Sequence, residues 1–227
     1  MITLADIHRL YRSEEVETTA LRDIELDVDE GEFVAVMGPS GSGKSTLLNI
    51  LGLIDKPTSG RHIFLEQEVG DMNEAERAKV RRANLGFIFQ SFNLIDELTV
   101  EENIELGLVY RGGVANGSRK QRVTEAMDRV GIGHRAKHYP HQLSGGQQQR
   151  AAIARAIVGK PSLLLADEPT GNLDTANGAQ VMDILKSLND EGATIIMVTH
   201  SPSQADQAKR VVNMLDGRIV ASARRAI

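Results

Sequence analysis

The sequence predicts an α/β fold: a mainly parallel sheet with helices on both faces, interrupted by a helical insertion at 91–160. Three observations lead there. Continuous apolar runs of strand length alternate with segments whose apolar residues recur at helical spacing. From about 91 to 160 the helical pattern continues without a strong strand. A glycine-rich turn joins one apolar run to one helical pattern, as in a strand–loop–helix unit.

Taken in order, Ile24, Leu26 and Val28 alternate with Glu25, Asp27 and Asp29, the pattern of a half-buried antiparallel strand in a small N-terminal β piece. FVAVM (33–37) reads as a strand buried on both faces. Leu47, Leu48, Leu51 and Ile54 then predict a helix ended by Asp55-Lys56-Pro57. Residues 61–65 read as a strand, and LGFIF (85–89) as a second buried one. In the insertion, Thr99 and Glu102 form a capping box ahead of Val100, Ile104 and Leu108. RGGVANGS (111–118) reads as loop, and Ser118 and Gln121 open a helix with Val123, Met127 and Val130 inward, closed by Gly131. Ser144 and Gln147 open a third helix with Ile153 and Ile157 inward, closed by Gly159 and Pro161. The α/β rhythm returns with strand 162–166, helix 175–189, strand 194–199 and a hairpin turning at Asp216-Gly217.

Composition narrows the function. The 227 residues suit one α/β domain with an inserted subdomain, and 41% hydrophobic with 25% charged residues is ordinary globular chemistry. A net charge of −5, no Trp and few other aromatics argue against nucleic acid as the partner. The absence of Cys excludes disulfides, thiol catalysis and thiolate-bound zinc. No window approaches the ~20 apolar residues of a membrane span. The N-terminus shows no signal peptide, so a cytoplasmic protein is expected, reaching any membrane through a partner.

The chemistry sits in three places. GPSGSGKST (38–46) fits the pattern G-x-x-x-x-G-K-[ST] between a predicted strand and a predicted helix. Its glycines let backbone N–H groups turn toward phosphate oxygens, and a helix N-terminus adds partial positive charge. Lys44 reaches the β- and γ-phosphates, and the Ser45 hydroxyl is a candidate ligand of Mg²⁺. LLLADEP (163–169) ends an apolar strand in two carboxylates: Asp167 as a Mg²⁺ holder and Glu168 as the acceptor of a proton from an attacking water. LSGGQQQR (143–150) puts Ser144, Gly145, Gly146 and Gln147 at a helix start. A capped helix explains Ser144 and Gln147. It does not explain two glycines, each costing about 1 kcal/mol relative to Ala. The sequence therefore suggests a second anion site, serving another subunit's nucleotide.

The ordered set GPSGSGKST, the glutamine of FIFQSFNL, LSGGQ, LLLADEP, GNLD and VTH resembles the ATPase subunit of an ATP-binding cassette (ABC) transporter over essentially the whole chain. RRANLGFIFQSFNLIDELTVEENIEL and ADEPTGNLD are similar to the MacB-type group, which includes macrolide and peptide exporters, lipoprotein-release ATPases and the cell-division ATPase FtsE. The resemblance implies a P-loop NTPase (RecA-like) core at 1–90 and 161–227, with an N-terminal antiparallel β subdomain and a helical subdomain at 91–160. It implies a homodimer closing on ATP, each site pairing one chain's phosphate loop with the other's LSGGQ. Carried over, Gly38, Ser40, Gly41, Ser42, Gly43, Lys44, Ser45 and Thr46 bind the phosphates, with Tyr11 stacking on adenine. Ser144, Gly145, Gly146 and Gln147 serve the γ-phosphate of the opposite subunit. Glu168 is the general base, His200 holds the water, and Gln90 joins Ser45 and Asp167 around Mg²⁺. Asp174 crosses the dimer interface. His8, His62, His134, His138 and His141 read as structural or surface residues. Many relatives have Asp after the switch histidine; here Ser201-Pro202 follows, and Ser201 can cap the next helix.

The expected partners are a second copy and a separately encoded membrane permease, with a periplasmic adaptor in the export case, which places the protein peripherally on the inner face of the cell membrane. Export or extraction of a drug, peptide or lipoprotein is one reading. FtsE-like mechanotransmission without cargo is the alternative. A soluble ABC ATPase acting on DNA or ribosomes fits less well, because one cassette is present and no long insertion separates the phosphate loop from LSGGQ.

Overall fold

The computed structural model describes residues 1–12, 17–111 and 116–224. The elements in chain order are β1 (Ile2–Arg12), β2 (Glu17–Val28), β3 (Phe33–Met37), α1 (Lys44–Leu51), β4 (Ser59–Phe64), β5 (Gln67–Glu68), α2 (Glu74–Asn84) and β6 (Leu85–Ile88). They continue with α3 (Val100–Arg111), α4 (Asn116–Arg129), α5 (Gly145–Ile157), β7 (Leu163–Asp167), α6 (Thr175–Asp190), β8 (Thr194–Val198), α7 (Pro202–Ala205), β9 (Arg210–Leu215) and β10 (Arg218–Arg224). Among the described residues no helix is long and apolar enough to cross a membrane. The backbone forms two compact units: residues 1–81 with 189–227, and residues 82–188.

The first unit holds an antiparallel sheet in the order β2-β1-β4-β5. It also holds β3, paired in parallel with both β8 and β9, and the antiparallel β9–β10 hairpin. Phe33, Val34, Ala35 and Val36 are all buried, as are Ile195, Ile196, Met197 and Val198, which matches the continuous apolar runs in both strands. The hairpin turns at Asp216 (φ 48°) and Gly217 (φ 76°), both left-handed as a two-residue hairpin requires.

The second unit pairs β6 and β7 in parallel and packs α3, α4 and α5 together. Thr99 and Glu102 cap α3 reciprocally, with Val100, Ile104 and Leu108 buried, as the pattern predicts. Val123, Met127 and Val130 are buried, and Gly131 (φ 69°) ends that stretch. Gly107 explains how closely α3 meets α5: a Cβ there would stand 2.5 Å from the Arg155 carbonyl.

Several boundaries differ from expectation. Helix α1 stops at Leu51 with Gly52 as its C-cap, and Ile54 is 45% exposed beyond it rather than buried in a longer helix. Leu53 adopts φ 55°, which no helix can propagate. Strand β6 is half-buried, not buried on both faces: Gly86 and Ile88 point in, whereas Leu85 and Phe87 are partly exposed. Of the expected loop 111–118, Arg111 belongs to α3 and residues from Asn116 to α4, and 112–115 lie outside the described residues. Helix α2 is absent from the sequence reading because it carries no apolar stripe. It is held by a reciprocal Asn73–Glu76 cap and by Glu74 pairing with Arg77 and Arg81.

Candidate functional site

In the first unit the phosphate loop runs from β3 into α1. The N-cap is Gly43 (φ 96°), which supplies no side-chain acceptor to the first turn of α1. Free first-turn N–H groups at a helix N-terminus form a ready anion site. Gly43 is demanded twice, since a Cβ there would also stand 2.7 Å from the Ala20 carbonyl. The Lys44 side chain is buried and folds over the loop, with Nζ donating to the carbonyls of Gly38 and Pro39 at 2.8 Å each. The β9–β10 turn pins the loop: the Gly217 N–H donates to the Ser42 carbonyl at 3.1 Å. Ser40, Gly41 and Ser45 are exposed, Thr46 is half-buried, and the Ser42 hydroxyl is buried without a hydrogen-bond partner among the described residues.

His200 comes to the same edge. Val36 of β3 pairs with Val198 of β8, and the Thr199 N–H donates to the Val36 carbonyl at 3.1 Å. Gly38 and His200 each follow two residues after that pair. The loop beyond His200 is held by Thr199, whose hydroxyl donates to Gln204 Oε1 at 2.7 Å and accepts from the Ser201 N–H at 3.1 Å. Ser201 does not cap α7 through its side chain, contrary to expectation; its hydroxyl lies 3.0 Å from that of Ser203. The Thr199 hydroxyl instead ties the N–H of Ser201 to the Gln204 side chain. Tyr11 is the penultimate residue of β1, 39% exposed, with its hydroxyl on Asp55.

In the second unit, Ile88 of β6 pairs with Ala166 of β7, and Gln90 and Glu168 each follow two residues later. Glu168 adopts φ 44°, a left-handed conformation that costs a non-glycine residue of order 1 kcal/mol and is typical of functional turns. Its carbonyl accepts from the Gly171 N–H at 2.9 Å, and Asp167 precedes it at the strand end. Gln90 leans onto Asn172: Gln90 Nε2 donates to Asn172 Oδ1, and Asn172 Nδ2 returns a bond to the Gln90 carbonyl, both at 3.1 Å. A Cβ at Gly171 would stand 2.7 Å from Gln90 Nε2, so any larger residue there displaces the Gln90 side chain. Asp174 caps α6, and the backbone and side-chain N–H groups of Asn177 hold its carboxyl below the usual range.

Ser144 and Gln147 cap α5 reciprocally, Ser144 Oγ accepting from the Gln147 N–H at 3.4 Å and the Ser144 N–H donating to Gln147 Oε1 at 3.0 Å. The two glycines are not equivalent. A Cβ on Gly146 would stand 2.1 Å from Asn177 Oδ1, whereas one on Gly145 meets only ordinary contact, Leu173 at 3.4 Å. Close packing thus explains Gly146 without an anion, and only Gly145 retains the original argument.

Sequence reasoning missed Gln149. It is fully buried, with Nε2 donating to the carbonyls of Phe89 at 3.3 Å and Pro169 at 2.5 Å. The available signal is a glutamine in line with Ile153 and Ile157 on the core stripe of α5. His62, read from the sequence as structural or surface, is buried, and desolvation lowers its pKa from 6.5 to about 4 against the opposing charge of Glu68. His8 is a surface residue between Asp6 (3.1 Å) and Asp23 (3.4 Å).

Residues 21–171 match the ABC transporter family model. The chain is 50% identical over 220 residues to an uncharacterized ABC transporter ATP-binding protein, MJ1508, of Methanocaldococcus jannaschii, covering 97% of this chain and 98% of that protein. It is 50% identical over 224 residues to a macrolide export ATP-binding/permease protein MacB of Paracoccus denitrificans, covering 99% of this chain but 33% of that protein. Among solved structures, the dimeric post-hydrolysis state of the ATP-binding cassette MJ0796 bound to ADP and Pi is similar at a TM-score of 0.91 and 41% identity, with both chains fully covered. With the phosphate loop, the acidic strand end and the capped glycine pair all present in that framework, the chain belongs to the ABC transporter family as one of its ATPase cassettes.

Proposed function

We propose that this chain is the ATP-hydrolysing subunit of a MacB-type export or extraction assembly, working as a homodimer beneath a membrane permease. The observation that carries the reading is the α1 N-terminus, uncapped by any side chain and overlain by Lys44, a site built for phosphate. In this reading Gly38, Ser40, Gly41, Gly43 and Thr46 cradle ATP, and Tyr11 carries the base. Ser144 to Gln147 of the second copy complete each site, with Asp174 at the interface. The dimeric state of the similar cassette MJ0796 supports the pairing. Glu168 takes the proton of the attacking water, and His200 orients that water. Ser45, Gln90 and Asp167 offer hydroxyl, amide and carboxylate oxygens, the hard donor set that suits Mg²⁺. Bound there, the ion supplies neutralisation of phosphate charge.

The permease reading is supported by the MacB relatives, which carry ATP-binding and permease functions on one chain. A permease on a separate polypeptide is supported by relatives of this chain's own length. The second unit offers a surface for it. A groove of about 360 Å³ between α3, α5 and β6 is lined by Arg82, Arg111 and Arg155 with Phe89, Ile95 and Tyr110. Docked through that groove, the helices of 91–160 transmit dimer closure, and the protein sits peripherally on the inner membrane face.

The test is Glu168→Gln. Turnover falls by roughly a hundredfold or more, and ATP converts the variant from monomer to dimer in light scattering. A variant that still hydrolyses at the original rate removes Glu168 from the chemistry. Mixing Lys44→Ala with Ser144→Arg tests the shared sites: neither variant alone turns over, and the mixture regains activity because mixed dimers hold one intact site. A mixture that stays silent argues for sites confined to one chain.

A further inference from the structure

Tyr11 is not a loose surface aromatic. Its hydroxyl donates to Asp55 Oδ2 at 2.9 Å, and Arg9 Nε donates to that same oxygen at 2.9 Å. The Arg9 guanidinium then lies 4.3 Å above the centre of the Tyr11 ring. One carboxylate oxygen therefore gathers a cation and a phenol, and the cation covers one face of the ring. The ion pair is half-shielded, with the Arg9 and Asp55 side chains 20% and 23% exposed, so it is screened less than a surface pair. Asp55 itself is anchored: its Oδ1 accepts from the Lys56 N–H at 2.8 Å, and its own N–H donates to the carbonyl of Asn49 in the last turn of α1.

The register puts this cluster beside the phosphate loop. Tyr11 pairs with Thr18 across β1 and β2, and Ala20, two residues further along β2, abuts Gly43 through its carbonyl. Two strand residues span roughly 7 Å, within the reach of a nucleotide whose phosphates lie on the loop. Asp55 closes the cluster from the other side, four residues after α1 ends.

We propose that Asp55 is a positioning residue for nucleotide binding, holding Arg9 and Tyr11 so that the ring is a fixed platform with a single open face for the base. The proposal rests on the reading that Tyr11 carries the base. Arg9 closes the far face, so stacking occurs on one side, and the ring is already ordered before the base arrives. A platform that must be ordered on binding costs affinity for each immobilised side chain. The effect belongs to binding and not to the chemical step, since no atom of the cluster approaches the reacting phosphate in this reading.

The experiment is steady-state hydrolysis by the full chain with ATP, comparing Asp55→Asn, Tyr11→Ala and the double variant. Asn preserves an acceptor for Lys56 and turns its amide donors toward Arg9 and Tyr11, so the turn survives and the cluster does not. Asp55→Asn raises KM for ATP roughly three- to tenfold with kcat unchanged. Tyr11→Ala raises KM at least as much, and Asp55→Asn adds nothing to it, because the platform it positions is gone. Asp55→Glu, tested alongside, recovers part of the loss. A KM unchanged in Asp55→Asn while Tyr11→Ala raises it overturns the proposal and leaves the base-stacking reading intact. A KM unchanged in Tyr11→Ala overturns the base-stacking reading itself. Additive effects in the double variant, or a fall in kcat with Asp55→Asn, show that Asp55 acts only on the fold and also overturn the proposal. Thermal melting of each variant separates a folding loss from these outcomes.

Discussion

Gly146 lies directly beneath Asn177, so closely that a methyl group on it would sit 2.1 Å from Asn177 Oδ1. Asn177 cannot easily retreat, because its N–H and Nδ2 both donate to Asp174, at 2.8 and 2.7 Å. The start of α5 and the start of α6 are thereby locked through one side chain. Gly146→Ala should destabilise the protein by about 1–3 kcal/mol, the usual penalty of overpacking. Urea denaturation measures it. The Gly146→Ala, Asn177→Ala double variant should be less destabilised than the sum of the singles, since truncating Asn177 removes its two nearest atoms and leaves its Cβ at 2.9 Å. Strict additivity would mean that the two residues do not clash.

His62 makes stability depend on pH. It is buried on β4, its Nε2 has no hydrogen-bond partner among the described residues, and its pKa is lowered from 6.5 to about 4. The neutral ring is favoured in the folded state, whereas the unfolded ring protonates near 6.5. Stability is therefore complete above about pH 6.5 and is lost as pH falls through that value toward 4. The full loss amounts to about 3 kcal/mol. His62→Phe should flatten this part of the profile while leaving stability at pH 7.5 nearly the same. Urea melts from pH 7.5 to 4.5 check it, and a variant that keeps the original slope assigns the effect elsewhere.

The turn after β8 depends on Thr199 and not on Ser201. Thr199 is buried and serves both Gln204 and the Ser201 N–H, while the Ser201 hydroxyl lies 3.0 Å from that of Ser203. Thr199→Val keeps the shape but strips both bonds, at a cost of about 1–3 kcal/mol for the polar atoms left unpaired. Because His200 lies between these two residues, kcat should fall roughly tenfold with little change in KM for ATP. Ser201→Ala should change stability by less than about 0.5 kcal/mol and leave kcat alone. If Ser201→Ala proves the more damaging of the two, the dependence of this turn on Thr199 is overturned.

Most of the fold is legible in the sequence because burial and spacing agree with each other. Strands β3, β7 and β8 are apolar on both faces, and α3 and α5 announce themselves by capping boxes ahead of apolar stripes. What escapes is structure held by polar groups. Helix α2 has no buried residue and depends on Asn73, Glu74 and Glu76, and its Asn73–Glu76 cap is the one sequence cue it offers. The end of α1 escapes because Ile54 continues the helical spacing while Leu53 turns left-handed. In the candidate site, the proposed phosphate and water residues carry motifs, whereas Asn172 and Asp55 bond to residues distant in sequence, and the local bonds of Asn177 and Thr199 follow no motif. Gly146 is the opposite case: its motif membership is legible, and its packing against Asn177 is not.

Gln149 is the strongest instance of such aiming. Its amide nitrogen ties the Phe89 carbonyl, immediately before Gln90, to the Pro169 carbonyl, immediately after Glu168. One buried side chain on α5 thus sets the distance between two loops that carry candidate reaction residues. Its own Oε1 is buried without a partner among the described residues, a cost that a merely structural site would shed by replacing glutamine with an apolar residue. Gln149→Leu fills the same space, removes the orphaned oxygen and leaves the two carbonyls without their donor. The gain and the loss partly cancel, so stability should change by no more than about 1–2 kcal/mol. Catalysis has no such compensation. The loops at 89–93 and 168–174 should exchange amide hydrogens faster, and kcat should fall by roughly tenfold or more while KM for ATP changes little, because the phosphate loop lies in the other unit. Hydrogen exchange and steady-state kinetics on one preparation decide the matter: unchanged exchange with unchanged kcat would make Gln149 a packing residue, and faster exchange with unchanged kcat would separate loop order from the chemistry.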